Sequence, residues 1–137
     1  MNLIINNRRR ISDLQKDFSE AFPFLKIEFF TKAHAYKSVN ERGDIITGDK
    51  PIGSIRTNNQ DGVIELIETR TVAEFEDQLR IQFGLFAQVF RKSGNVWIET
   101  SLTDEWTLGI QNKEGYELSR PISYKKYPDE SSGMEQE

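Results

Sequence analysis

The strongest constraint on the fold is a pattern of apolar residues that occurs twice in the chain, 61 positions apart. In each copy the apolar residues recur at helical spacing, which predicts an amphipathic helix. The matching positions are Ile11, Leu14, Phe18 and Phe22 in the first copy and Val72, Phe75, Leu79 and Phe83 in the second. An apolar run stands before and after each helix, so a strand–helix–strand unit is predicted twice. The strands that follow the helices differ in inward register by one residue, which requires a slip or a bulge.

The same reading of periodicity and turn signals predicts the other elements. Strands are expected at 2–5, 24–32, 52–57, 63–67, 85–91 and 96–100, helices at 11–22 and 72–83, and a polar loop at 33–50. Thr71 and Glu74 form a capping box for the second helix, and Gly84 is its C-cap. A short third helix is expected from Thr103 or Asp104 to Asn112.

These elements indicate an α+β protein, and their order favours a ferredoxin-like βαββαβ sandwich with an added C-terminal strand at 96–100 and a short helix. The alternative is a β-grasp core, ββαββ, formed by residues 52–100 with an N-terminal helix and strand appended. Either fold is a single domain over residues 1–127. The acidic tail, residues 128–137, has too few apolar side chains to fold and is expected to be disordered.

Composition excludes several classes of function. The chain has no cysteine, which rules out disulfides, thiolate metal sites and cysteine nucleophiles. Four of the 22 acidic residues lie in the last ten positions, so 18 acidic and 18 basic side chains remain in residues 1–127. A neutral body creates no long-range field to attract nucleic acid or an anionic membrane. No window approaches the ~20 apolar residues of a membrane span and no signal peptide is evident, so a cytoplasmic location is expected.

Motifs for catalysis and metal binding are weak. His34 is the only histidine, so no second histidine or cysteine can complete a zinc site. Residues 57–68 match several positions of a calcium-binding loop, but Thr57 replaces the first aspartate and the flanks are predicted strands. The segment is better explained as a hairpin turn. We therefore predict no catalytic residue, no cofactor and no metal, calcium included.

The remaining signal is aromatic. If Leu85, Ala87 and Val89 face the helices, alternation turns the residues between them to the other face of the sheet. Alternation gives Phe86, Phe90 and Trp97. With the basic neighbours Arg91 and Lys92 added, these are the candidate partner-binding residues. Exposed aromatic residues beside basic ones are typical of interaction surfaces. The competing interpretation is that the third helix covers this face through Trp106, Leu108 and Ile110.

Three segments, Phe22–Phe30, Val89–Trp97 and Asp104–Leu108, resemble parts of a family of short, uncharacterised bacterial proteins. The resemblance covers most of residues 1–112. It implies a bacterial, cytoplasmic protein, and it implies no particular activity.

The leading functional prediction is a non-catalytic protein-interaction or regulatory module, with a protein partner or a second copy of the chain bound through the aromatic residues or a sheet edge. The alternative is binding of single-stranded nucleic acid through Arg8–Arg10 and the aromatic face. An enzyme whose site the sequence does not reveal is the third possibility.

Overall fold

The fold is given by a computed structural model that describes residues 1–31 and 44–120. It contains five strands and three helices, and it confirms the α+β class. In chain order they are β1 (Asn2–Ile5), α1 (Ile11–Ala21), β2 (Leu25–Phe30), β3 (Gly62–Glu65), α2 (Val72–Phe83), β4 (Phe86–Ser93), β5 (Val96–Glu99) and α3 (Leu108–Leu118). His34 and the tail at 128–137 lie outside the described residues.

The described strands form two antiparallel sheets, one of β1 and β3 and one in the order β2-β4-β5. The core lies between these sheets and the helices α1 and α2. At its centre the rings of Phe18 and Phe75 stack with their centroids 5.2 Å apart. Of the predicted loop at 33–50, only residues 44–50 are described, and Ile45 forms an isolated bridge to Phe30.

The two predicted strand–helix–strand units are present as β1-α1-β2 and β3-α2-β4. Both sheets join one unit to the other, because β1 pairs with β3 and β2 pairs with β4. Leu3 pairs with Ile64, which is 61 positions further along the chain. Buried Ile27, however, pairs with buried Val89 and not with Gln88. The one-residue slip that the sequence requires therefore lies in β2 and β4.

The loops before α1 and α2 also repeat, since each is hydrogen-bonded to a later segment in the same way. In the first unit the backbone hydrogen bonds run from Gly53 N to Asn7 O, from Ile52 N to Arg9 O and from Ile11 N to Lys50 O. The matching hydrogen bonds of the second unit run, in the same order, from Gly109 N to Glu68 O, from Leu108 N to Arg70 O and from Val72 N to Trp106 O. A side chain on Gly53 would come within 2.8 Å of the Asn7 side chain, so this approach requires glycine.

These hydrogen bonds explain why the prediction of an edge strand at 52–57 is wrong. Ile52–Ser54 is a 3-10 turn whose first residue is buried, and the N–H groups of Ile52 and Gly53 bond to the loop before α1. The β-grasp alternative needed a strand here and is also wrong, since β3 pairs with β1. The described strands form two sheets, whereas a ferredoxin-like sandwich has one four-stranded sheet, so that finer prediction is not confirmed.

The third helix begins later than predicted. The carbonyls of Asp104 and Trp106 accept hydrogen bonds from the N–H groups of Ala73 and Val72, which are first-turn donors of α2 without intrahelical partners. Residues 104–106 form a turn whose carbonyls are held by α2, and α3 starts at Leu108, capped by the Thr107 hydroxyl. No helix in the described ranges is long and apolar enough to cross a membrane; the longest has 12 residues.

Candidate interaction surface

All three helices pack on one face of the β2-β4-β5 sheet, the face that carries Leu25, Ile27 and Val89. α1 packs against β2, and its Gln15 Nε2 donates to Ile27 O, at the outer edge of that strand, at 2.9 Å. α3 lies against the same face, because the position of Gly115 is close to the Arg91 side chain. The expectation that α3 covers the aromatic residues is therefore wrong.

The opposite face of this sheet brings four of the five predicted partner-binding residues together. We call it the aromatic face and define it by Phe86, Phe90, Lys92 and Trp97 with Lys26 of β2. The Lys26 ammonium lies 5.0 Å from the centre of the Trp97 ring and 5.5 Å from that of Phe90. Cation–π contacts of this kind hold the two rings and the amine in a fixed arrangement. Lys26 was missed from the sequence, although its alternation with Ile27 places it on this face.

Arg91 does not belong to the aromatic face. It lies between Phe90 and Lys92, so strand alternation turns it to the helix side. There its Nη1 donates to Gln111 Oε1 at 2.7 Å, and its guanidinium carbon lies 5.7 Å from the centre of the Trp106 ring. Of the two cations predicted to accompany Trp97, Arg91 and Lys92, Arg91 thus stacks on the other tryptophan.

β5 is one of the two outer strands of this sheet in the described part of the chain, and it carries exposed apolar side chains on both faces. Val96 is 58% exposed, and Trp97 and Ile98 are each 39% exposed. β5 pairs with β4 only as far as Glu99, since Thr100 turns in to donate to Val89 O from both its N–H and its hydroxyl. The result is a short edge with three consecutive large apolar residues.

Glu76 is a buried carboxyl that sequence reasoning missed. Its Oε2 accepts the Val89 N–H at 2.8 Å, at the point where β5 has left β4. Burial raises the pKa of Glu76 to about 8; the Val89 bond opposes this shift, and the charges of Asp104 and Asp77 add to it. The repeat offered a signal, because the matching position in α1 is Gln15, which also reaches across to the sheet.

The weaker motifs gain no support. Asp61 pairs with Arg56 at 3.3 Å, and the segment that resembled a calcium loop runs directly into β3. Within residues 1–31 and 44–120, no three or more His, Cys, Asp or Glu side chains are grouped to hold a metal ion.

The basic cluster Arg8–Arg10 lies immediately before α1. Arg9 pairs with Asp17 at 2.9 Å, and Arg10 pairs with Asp49 at 3.3 Å. Hydrogen bonds from the Ser12 N–H and hydroxyl lower the pKa of the Asp49 carboxyl. These contacts hold Arg9 and Arg10 against α1 and Asp49 and not against the aromatic face, the other part of the surface that the nucleic-acid alternative uses.

Comparisons of the chain with protein-family models, with curated protein sequences and with solved structures each found no match. The resemblance to short bacterial proteins therefore stays a prediction.

Proposed function

We propose that this chain is a non-catalytic protein-interaction module that binds its partner through β5 and the adjoining aromatic face. The observation that carries the proposal is the edge strand β5, where Trp97 is stacked with Lys26 and flanked by exposed Val96 and Ile98. An edge strand offers backbone groups for pairing, and a tryptophan beside cations is a common centre of binding energy. The two features coincide at one place on the surface.

The two tryptophans provide a matched test. Trp97 and Trp106 are each 39% exposed and each has a cation over its ring, but only Trp97 lies on the aromatic face. We expect tagged full-length protein to retain a protein partner from native lysate. The Trp97→Ala variant should lose the partner by tenfold or more, and Trp106→Ala should keep it.

Nuclease treatment of half the sample separates the alternatives. A protein that survives nuclease and depends on Trp97 supports the proposal. Equal retention by a folded Trp97→Ala variant contradicts it. Recovery of nucleic acid that depends on Trp97 and falls with rising salt would favour the nucleic-acid alternative instead.

A further inference from the structure

A second surface lies on the other sheet, along the edge of β3 that faces away from β1. An open groove of about 730 Å³ runs there between β3 and the flank of α2. The strand side is formed by Val63, Glu65 and Ile67, and the helix side includes Glu74, Asp77 and Gln78. Val63 and Ile67 are 50% and 44% exposed, so the groove has apolar walls open to solvent.

The backbone of β3 is oriented for pairing along this groove. Leu66 N donates to Met1 O, so Leu66, Ile64 and Gly62 direct their backbone groups towards β1. In an antiparallel pair the backbone N–H and C=O groups of the residues between them point away from the partner strand. The N–H and C=O groups of Val63 and Glu65 therefore face the groove, and no strand in the described part of the chain pairs with them.

The repeat supplies an internal comparison, because the equivalent edge of β1 is closed. There the Arg9 guanidinium donates to Ile4 O at 3.0 Å and to Asp17 at 2.9 Å, so it covers the edge. The positions that match Arg9 and Asp17 at the 61-residue offset are Arg70 and Gln78. Gln78 has no charge to hold Arg70, whose Nη2 instead donates to Glu74 O at 3.3 Å. The outer strand edge is thus covered in the first unit, at β1, and open in the second unit, at β3.

The charges of the groove indicate which kind of ligand it binds. Its lining residues include three carboxylates, Glu65, Glu74 and Asp77, and one cation, Arg70. Glu74 also accepts the Thr71 N–H, and Asp77 also pairs with Arg80 at 3.0 Å, so Glu65 is the carboxylate that β3 itself presents to a ligand. We propose that the β3 edge groove binds an extended peptide segment of another protein, with apolar side chains alternating with lysine or arginine. The peptide adds as a strand to β3, its apolar side chains contact Val63 and Ile67, and its basic side chains meet the carboxylates. This groove lies on a different sheet from the aromatic face, so the two proposals are tested independently.

The test uses a capped, fluorescently labelled hexapeptide that alternates valine and lysine, titrated into the full chain by fluorescence anisotropy. Val63→Pro removes an outward N–H without removing a bond to β1, so it should weaken binding at least tenfold. The matched control is Ile4→Pro, which makes the same change in the residue opposite Val63, at the closed edge. It should leave affinity within twofold. A control hexapeptide that alternates valine and glutamate should not bind, because the carboxylates of the groove repel it.

A second variant keeps the proposal testable if Val63→Pro does not fold. Gln78→Asp recreates in the second unit the ion pair that closes the first, so it should also weaken binding at least tenfold, whereas Gln78→Asn should not. Equal binding of the lysine peptide by folded wild-type and Gln78→Asp protein would overturn the proposal, as would no binding at millimolar peptide. A dimer that Val63→Pro dissociates and Ile4→Pro does not would also overturn it, in favour of a second copy as the occupant.

Discussion

Glu76 and Gln15 lie at matching positions in α2 and α1, and their side chains make hydrogen bonds of opposite direction to the strands. Gln15 donates to a strand carbonyl, whereas the Glu76 carboxyl accepts a strand N–H that the departure of β5 leaves without a strand partner. An unpaired N–H at a sheet edge costs free energy when it is buried. The carboxyl group satisfies it, and burial of that group makes the stability of the protein depend on pH.

The pH dependence has a definite sign. Because burial raises the pKa of Glu76 from 4.5 to about 8, the folded chain keeps this proton where the unfolded chain has lost it. The free energy of unfolding should therefore fall as pH rises from about 4.5 to about 8, by at most about 1.4 kcal/mol per pH unit from this group. Glu76→Gln should remove that component, since its amide oxygen can still accept from Val89.

Urea denaturation of both proteins at pH 5, 6.5 and 8 measures the effect. The wild-type protein should lose more stability across this range than the variant. Parallel pH profiles for the two proteins would show that Glu76 does not titrate as its surroundings indicate.

α3 is held against the start of β2 by a close contact at Gly115. A Cβ at Gly115 would lie 2.8 Å from the Phe24 Cβ and 3.1 Å from the Phe24 carbonyl oxygen. Nearby, Phe24 N donates to Asn112, and the Phe24 and Tyr116 rings pack edge to face at 5.5 Å. The glycine therefore sets how near α3 can lie to the start of β2.

Gly115→Ala should weaken this docking. Overpacking of this kind costs about 1–3 kcal/mol, which exceeds the gain of up to about 1 kcal/mol from alanine in a helix. We expect the free energy of unfolding to fall by up to about 2 kcal/mol, measured by chemical denaturation. Lys113→Ala, at an exposed position of the same helix, should change stability little. A more stable Gly115→Ala variant would contradict the close packing.

Elements with strong periodicity were predictable, and those held by distant partners were not. The capping box of Thr71 and Glu74 and the left-handed Gly84 are present as the sequence indicates. The turn at Ile52–Ser54 and the late start of α3 depend on backbone bonds to residues far along the chain, which no local pattern encodes. The aromatic face followed from alternation alone. The β3 groove did not, because it exists only where β3 and α2 lie side by side.

The two strand–helix–strand units depend on each other for their strand partners. β1 and β2 belong to the first unit and pair with β3 and β4 of the second. Separately expressed fragments 1–43 and 44–137 should therefore each lack a cooperative thermal transition, because each loses one strand from both inter-unit pairs. Mixing the two fragments should restore the cooperative transition, and circular dichroism measures it. Cooperative melting of fragment 44–137 alone would show that the second unit is self-sufficient.

This interlocking has a consequence during synthesis on the ribosome. β1 leaves the ribosome first, but its partner β3 is translated about 60 residues later, and β2 waits as long for β4. At roughly 5–20 residues per second, the first unit remains without its strand partners for roughly 3–12 seconds. Over that interval the nascent chain displays unpaired apolar strands, so its yield in the cell is expected to depend on translation speed and on chaperones more than the stability of the finished protein would suggest.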